Sequence, residues 1–163
     1  MRPAHAKIHI DAPRERVFEV ISDLANRPAF CDHFAHDFHL QRLDSTGVGA
    51  AARFRADRFP HWMETELVEI DAPHRLVERG RGARADRLKL GTAWELVEGP
   101  HSSTEVTVTF WAEPGTHLDK ARTGSSATRW HARQWNKALK RLREIVENQE
   151  PIEPVQVAGA SRI

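Results

Sequence analysis

The sequence predicts an α+β domain. A curved antiparallel sheet of about seven strands wraps around a long C-terminal helix, and two short helices follow the first strand. Three observations carry this reading. Segments with period-two patterning fill the middle of the chain, from Phe38 to Phe110. The turns between them are too short for parallel crossovers, so successive strands must pair antiparallel. A single long amphipathic helical pattern then closes the domain, from Ser125 to about Asn148.

The elements follow in order. Ala4, Ala6, Ile8 and Ile10 alternate with polar residues, as in a half-buried strand. Asp11 can cap the helix that follows, with Pro13 in its first turn and Glu15 near the positive end of its dipole. Val17, Phe18, Val20, Ile21, Leu24 and Ala25 form its apolar stripe, and Asn26 and Pro28 end it. A second short helix is expected from Pro28 to Phe34. Phe38, Leu40 and Arg42 then share one strand face, and Ala50, Ala52, Phe54 and Ala56 share a face of the next. Trp62 to Ile70 is a strand of ambiguous facing. Arg75 to Gly82 continues after the turn Asp71-Ala72-Pro73-His74, with a bulge or bend expected at Gly80 and Gly82. Leu88, Leu90, Trp94 and Leu96 share one face, as do Val106, Val108 and Phe110.

Pro114-Gly115 stops the last strand, and Thr116 to Gly124 reads either as a lid or as a plain connector. Ser125 or Ser126 can cap the last helix, whose apolar face centres near Leu142 and carries Ala127, Trp135, Ala138, Leu139, Ile145 and Val146. Residues 1–150 thus make one domain, and 151–163, with two prolines and no period, are expected to be a disordered tail. Ile-Asp-Ala-Pro occurs at Ile10–Pro13 and again at Ile70–Pro73, but the flanks differ. It is the same turn chemistry used twice, not a duplication.

Bulk properties narrow the function. The 163 residues carry 24 basic and 23 acidic side chains, a net charge of +1, which lacks the positive field of a nucleic-acid or polybasic membrane binder. One cysteine, Cys31, excludes an internal disulfide. No apolar run reaches signal-peptide or membrane-span length, so a cytoplasmic protein is expected. Tyrosine is absent while five Trp and seven Phe are present, which suits an apolar interior. A curled sheet with one apolar face cannot be filled completely by a single helix, so an internal cavity is expected between them.

The segments Ile8 to Phe18, Val68 to Val77, Gly91 to Leu96 leading to Ser103–Val108, and Ala138 to Arg143 resemble the SRPBCC or START-like superfamily. Within it, the chain is most similar to the bacterial polyketide cyclase/dehydrase and lipid-transport group, from Ala4 to Glu150. The resemblance implies a helix-grip fold with a cavity for lipids, sterols, polyketides or other apolar molecules. Members include cyclases, transfer proteins and chaperone-activating modules, so it implies a site more than a reaction. No motif in the sequence assigns catalytic residues.

Candidate ligand contacts are the inward strand residues Phe54, Leu88, Leu90, Trp94, Val108 and Phe110, together with Trp62, all of which could equally be plain core. From the last helix come Trp130, at the cavity mouth, and His131, Gln134 and Trp135. A buried His131 could orient a ligand carbonyl or move a proton, though a satisfied core histidine would look the same. Arg79 is the other catalytic candidate, if it faces inward. Arg79 with Arg81, and Glu64 with Glu66, are expected instead to face outward as surface pairs. His33, His36 and His39 are spaced by three beside Asp32, Asp37 and Cys31, but a helix ending near Phe34 breaks their common face, so no metal site is expected. No cofactor motif is present. No set of convergent ionisable groups is evident, so the leading expectation is non-catalytic binding or transfer of an apolar or aromatic molecule. The alternatives are a polyketide aromatase/cyclase or dehydratase and a protein-interaction module. An exposed sheet edge could support a homodimer.

Overall fold

A computed structural model describes residues 2–82, 88–115 and 125–155. Seven antiparallel strands form one sheet in the order β1-β7-β6-β5-β4-β3-β2. The strands are β1 (Ala4–Ile10), β2 (Ala35–Leu40), β3 (Ala51–Ala56), β4 (Phe59–Asp71), β5 (Arg75–Gly82), β6 (Leu88–Glu98) and β7 (Thr104–Glu113). The helices are α1 (Arg14–Ser22), α2 (Arg27–Cys31) and α3 (Ser125–Asn148). Every strand from β2 to β7 pairs with its sequence neighbour, as short turns require, and β1 returns to pair with β7. The helix-grip α+β architecture expected from the pattern is the one present.

The expected strand faces hold where alternation is clean. Ala4, Ala6 and Ile10 of β1 and Val106, Val108 and Phe110 of β7 are buried, and α3 packs along β1 and α2. The stripe of α3 (Ala127, His131, Trp135, Ala138, Leu139, Leu142, Ile145, Val146) is buried throughout. In β4 the ambiguity resolves: Met63, Thr65 and Leu67 are buried, so Trp62, Glu64 and Glu66 take the convex face. Gly80 stays in register between Thr65 and Leu90, and the register shift of this pair lies between Leu67 and Glu69 instead. Gly80 is needed for close approach, because a Cβ there would collide with the Leu90 side chain and the Glu64 carbonyl.

Several local expectations are corrected. Pro13, not Asp11, occupies the N-cap of α1. Asp11 is occupied elsewhere: its carboxylate accepts from His9 Nε2 at 3.0 Å, and its backbone N–H donates to Glu147 at 2.8 Å, tying β1 to α3. The first helix ends at Ser22 because Asp23 is extended and its carboxylate accepts the Ala25 N–H at 2.8 Å, starting a new 3-10 turn at Leu24–Asn26. Ser125 is already helical, so the two serines lie inside the first turn of α3. Arg42 lies beyond β2 and is exposed. The tail expected to be disordered from Pro151 instead packs back: Ile152 lies against the core and the Val155 N–H donates to the Ala25 carbonyl at 3.0 Å. The lid or connector at 116–124, and the tail beyond Val155, lie outside the described residues.

The two edges of the sheet are β1 and β2. In β2 the register with β3 shifts between His36 and His39, and Asp37 adopts a left-handed φ of 52°. Among the described residues, no helix is long and apolar enough to cross a membrane.

Candidate functional site

A cavity of about 50 Å³ lies beneath α3. Its roof is His131 and Trp135 of α3, and one wall is Arg27 and Cys31 of α2 with Phe34 just beyond it. The floor is the concave sheet: Phe38 of β2, Phe54 of β3, Phe59 and Met63 of β4, Leu90 of β6 and Phe110 of β7. These inward positions follow from the period-two alternation of each strand. Polar floor positions are Thr65, Glu78 and Thr92, on the same inward faces.

At one end sits a buried ion pair. Arg27 and Glu78 are 4% and 5% exposed, and the guanidinium donates to Oε1 of Glu78 at 2.7 Å. The indole N–H of Trp94 donates to the same oxygen at 3.0 Å, and the Thr65 hydroxyl donates to Oε2 at 3.1 Å. The Glu78 carboxylate therefore has both oxygens engaged. Arg27 also donates to the Ile21 carbonyl at 3.3 Å, and its guanidinium lies over the rings of Trp94 (4.9 Å) and Phe30 (5.5 Å). Its Nε and one terminal nitrogen are buried with no protein partner among the described residues.

At the other end sits His131. Its ring lies 4.5 Å from Phe110, 4.8 Å from Trp130 and 5.9 Å, stacked, from Phe59. Burial, reinforced by the nearby Arg58 charge, lowers its pKa from 6.5 to about 4, so the imidazole is neutral near pH 7. Both ring nitrogens, and Nε1 of Trp135, are buried without a protein partner among the described residues. Burial pushes the Cys31 thiol up to about 12, so it is a poor nucleophile.

Of the sequence-derived candidates, Phe54, Leu90, Phe110, His131 and Trp135 line this cavity. Trp94 is fully buried just behind it, edge-on to Trp135 at 5.5 Å. Trp130, expected at the cavity mouth, is not among the lining residues; its ring lies 6.4 Å from Phe34 and 4.8 Å from His131 and is capped by Arg58 at 5.6 Å. Leu88 and Val108 face inward but are fully packed; Val108 lies between Ala6 and Trp94 in the sheet. Gln134 is one residue, about 100° of helix rotation, away from Trp135, and instead offers its backbone carbonyl to His33 Nε2 at 3.2 Å.

Two candidates fall on the wrong side of the sheet. Trp62 is 41% exposed on the convex face, beneath the guanidinium groups of Arg53 and Arg55 at 5.0 and 5.7 Å. Arg79 is exposed on that same face, opposite Glu66, beside the Arg81–Glu64 pair at 2.8 Å. The Arg81 guanidinium holds the Glu64 carboxyl below its usual range. Arg27 and Glu78, which sequence reasoning did not single out, are the charged pair that does face the cavity. The signal was present for Glu78: alternation that turns Arg79 and Arg81 outward must turn Glu78 inward. The three spaced histidines diverge. His33 faces α3, His36 lies 3.5 Å from Asp57, and His39 rests 5.7 Å from the Trp62 ring.

Comparison with known proteins agrees with this fold. No curated protein matches the sequence. The protein TTHA0849 of Thermus thermophilus shares 18% identity, with 91% of this chain and 99% of that one covered at a TM-score of 0.69. A hypothetical protein of Helicobacter pylori, jhp0584, shares 14% identity, with 89% and 88% covered at 0.69. DynU16, from the dynemicin biosynthetic locus, shares 17% identity at a TM-score of 0.64; 93% of this chain is covered, but it spans only 49% of DynU16. At these identities the likeness is one of fold. The family described as polyketide cyclase / dehydrase and lipid transport matches residues 1–147, and the chain belongs to that family.

Proposed function

We propose that this domain binds an apolar, aromatic small molecule in the cavity beneath α3, and that holding or transferring it is the task. One observation carries the reading: aromatic rings from five different strands and helices, and from the turn after α2, converge on one cavity. Such a surround favours planar ring systems through offset and edge contacts. Family membership supports an apolar ligand without naming it.

The cavity is small. About 50 Å³ is less than the roughly 150 Å³ void that admits benzene, and far below the 300–1,000 Å³ of drug-sized sites. A ligand must therefore displace side chains as it enters.

A second reading, an aromatase/cyclase or dehydratase, is favoured by His131. A neutral imidazole in a water-poor cavity can accept a proton from a bound enol or hydroxyl. Binding is preferred because the other titratable group of the right kind at the site, Glu78, has both oxygens engaged.

Native mass spectrometry of the purified chain, followed by organic extraction, tests the reading. A reproducible co-purifying aromatic molecule, retained less well by a Trp135→Ala variant, is the expected result. An empty protein that takes up neither fatty acids, sterols nor aromatic polyketides would overturn it and favour the protein-interaction module.

A further inference from the structure

The cavity lining is mostly apolar, with Arg27 and Glu78 among the exceptions. Arg27 engages Glu78 and the Ile21 carbonyl, and two of its three guanidinium nitrogens are left without partners among the described residues at 4% exposure. A buried donor without a partner is costly, so the arrangement is stabilised by anything that supplies an acceptor.

The charge of the pair decides what that acceptor can be. Arg27 and Glu78 sum to zero. A ligand carboxylate here would place two buried anions against one cation, and an uncompensated buried charge is strongly unfavourable. A carbonyl oxygen accepts the same charge-assisted bonds and leaves the balance intact. Glu78 cannot turn away to make room, because Trp94 and Thr65 also hold it.

The far end has different chemistry. Neutral His131 presents one N–H and one lone pair, neither with a partner among the described residues. A ligand hydroxyl can donate to the lone-pair nitrogen or accept from the N–H. Between the two ends run Trp94, Trp135 and Phe110, with ring centroids 5.5 and 6.4 Å apart in succession.

Building on the cavity-binding reading above, we infer that the Arg27–Glu78 pair is the specificity-determining anchor of the site. It selects an uncharged aromatic ligand with a ketone or quinone-type oxygen at the Arg27 end and a hydroxyl at the His131 end, and it turns away carboxylates.

The test uses the full 163-residue chain and two-ring probes, with binding followed by tryptophan fluorescence and calorimetry. The probes are tetralin, a tetralone, a hydroxytetralone with hydroxyl and ketone on opposite rings, and the hydroxynaphthoate with a carboxylate in place of the ketone. The hydroxytetralone should bind at least about tenfold more tightly than tetralin, the combined worth of a charge-assisted and a neutral hydrogen bond. The hydroxynaphthoate should bind more weakly than the hydroxytetralone. Removing the pair together, Arg27→Met with Glu78→Gln, should bring the tetralone and tetralin affinities to within about threefold of each other, whatever the common change in both. In a second variant, His131→Phe, the hydroxytetralone should lose its advantage over the tetralone. Equal binding of tetralin and hydroxytetralone, or tighter binding of the carboxylate, would overturn the anchor while leaving the cavity reading intact. Preference persisting in the paired variant would overturn it too. Failure of every probe, tetralin included, would overturn the cavity reading itself.

Discussion

Arg27 and Glu78 are 51 positions apart in the chain and 2.7 Å apart in the fold, with almost no solvent on either. The pair fastens α2 to the middle of the sheet, across the cavity wall. Removing one member leaves the other charge buried and unpaired. Arg27→Ala or Glu78→Ala should each cost about 3–5 kcal/mol in urea denaturation. The paired variant Arg27→Met, Glu78→Leu should recover most of that loss, since apolar replacements of similar volume often match a buried ion pair. If the two single losses simply add in the double variant, the pair is not coupled as described.

His131 contributes to the acid behaviour. Its pKa is about 4 in the folded chain and 6.5 when free of these surroundings. Between those values the unfolded chain binds the extra proton. Stability is therefore greatest above pH 6.5, falls as pH drops toward 4, and loses nothing further from this group below 4. The full loss is roughly 3 kcal/mol. The difference in unfolding free energy between pH 7.5 and pH 4 should shrink by about that amount in His131→Phe. An unchanged pH dependence would show that the imidazole is not desolvated.

Cys31 should react only when the fold opens. The thiol is buried and its pKa is pushed up to about 12, so little thiolate is available at pH 8. Alkylation by iodoacetamide should be orders of magnitude slower than in a denatured control. Because Cys31 lines the cavity, a bound probe should slow it further. Rapid labelling of the native chain would contradict this burial.

The convex face should be silent in ligand binding. Arg79→Ala and Trp62→Ala, on the side of the sheet away from the cavity, should change probe affinity less than about twofold and stability by no more than about 1 kcal/mol. Phe110→Ala, at the cavity floor, should instead cost several kcal/mol of stability, about 3–5 for a buried Phe. Isothermal titration and denaturation on the three variants separate the two faces.

These contrasts explain what the sequence could reveal. Strands with one polar face, such as Val106, Val108 and Phe110 against Glu105, Thr107 and Thr109, declare their orientation, and so does the stripe of α3. β4 does not, because Trp62 is apolar yet outward and Thr65 is polar yet inward. Trp62 is stabilised outside by Arg53 and Arg55, and Thr65 inside by Glu78. Those partners lie on other strands and are invisible to periodicity. The same limit hid Arg27. An arginine at the start of a short helix reads as a solvated end until Glu78 is brought to it from 51 positions away. His131 and Trp135 were legible because they lie on the stripe of one continuous helix. The cavity's polar end was not, because four segments, α2, β4, β5 and β6, have to meet before it exists.

The irregularity in β2 bears on how the molecules behave in a crowd. An edge strand offers a row of free backbone groups to any passing strand, and an unbroken row can seed sheet-to-sheet growth. Here Asp37 turns backward and the ladder slips between His36 and His39, so the outward row is broken in mid-strand by charged and titratable side chains. A second copy approaching along this border would find matching groups for only a residue or two before falling out of step. The β2 border is thereby a poor template for a further strand.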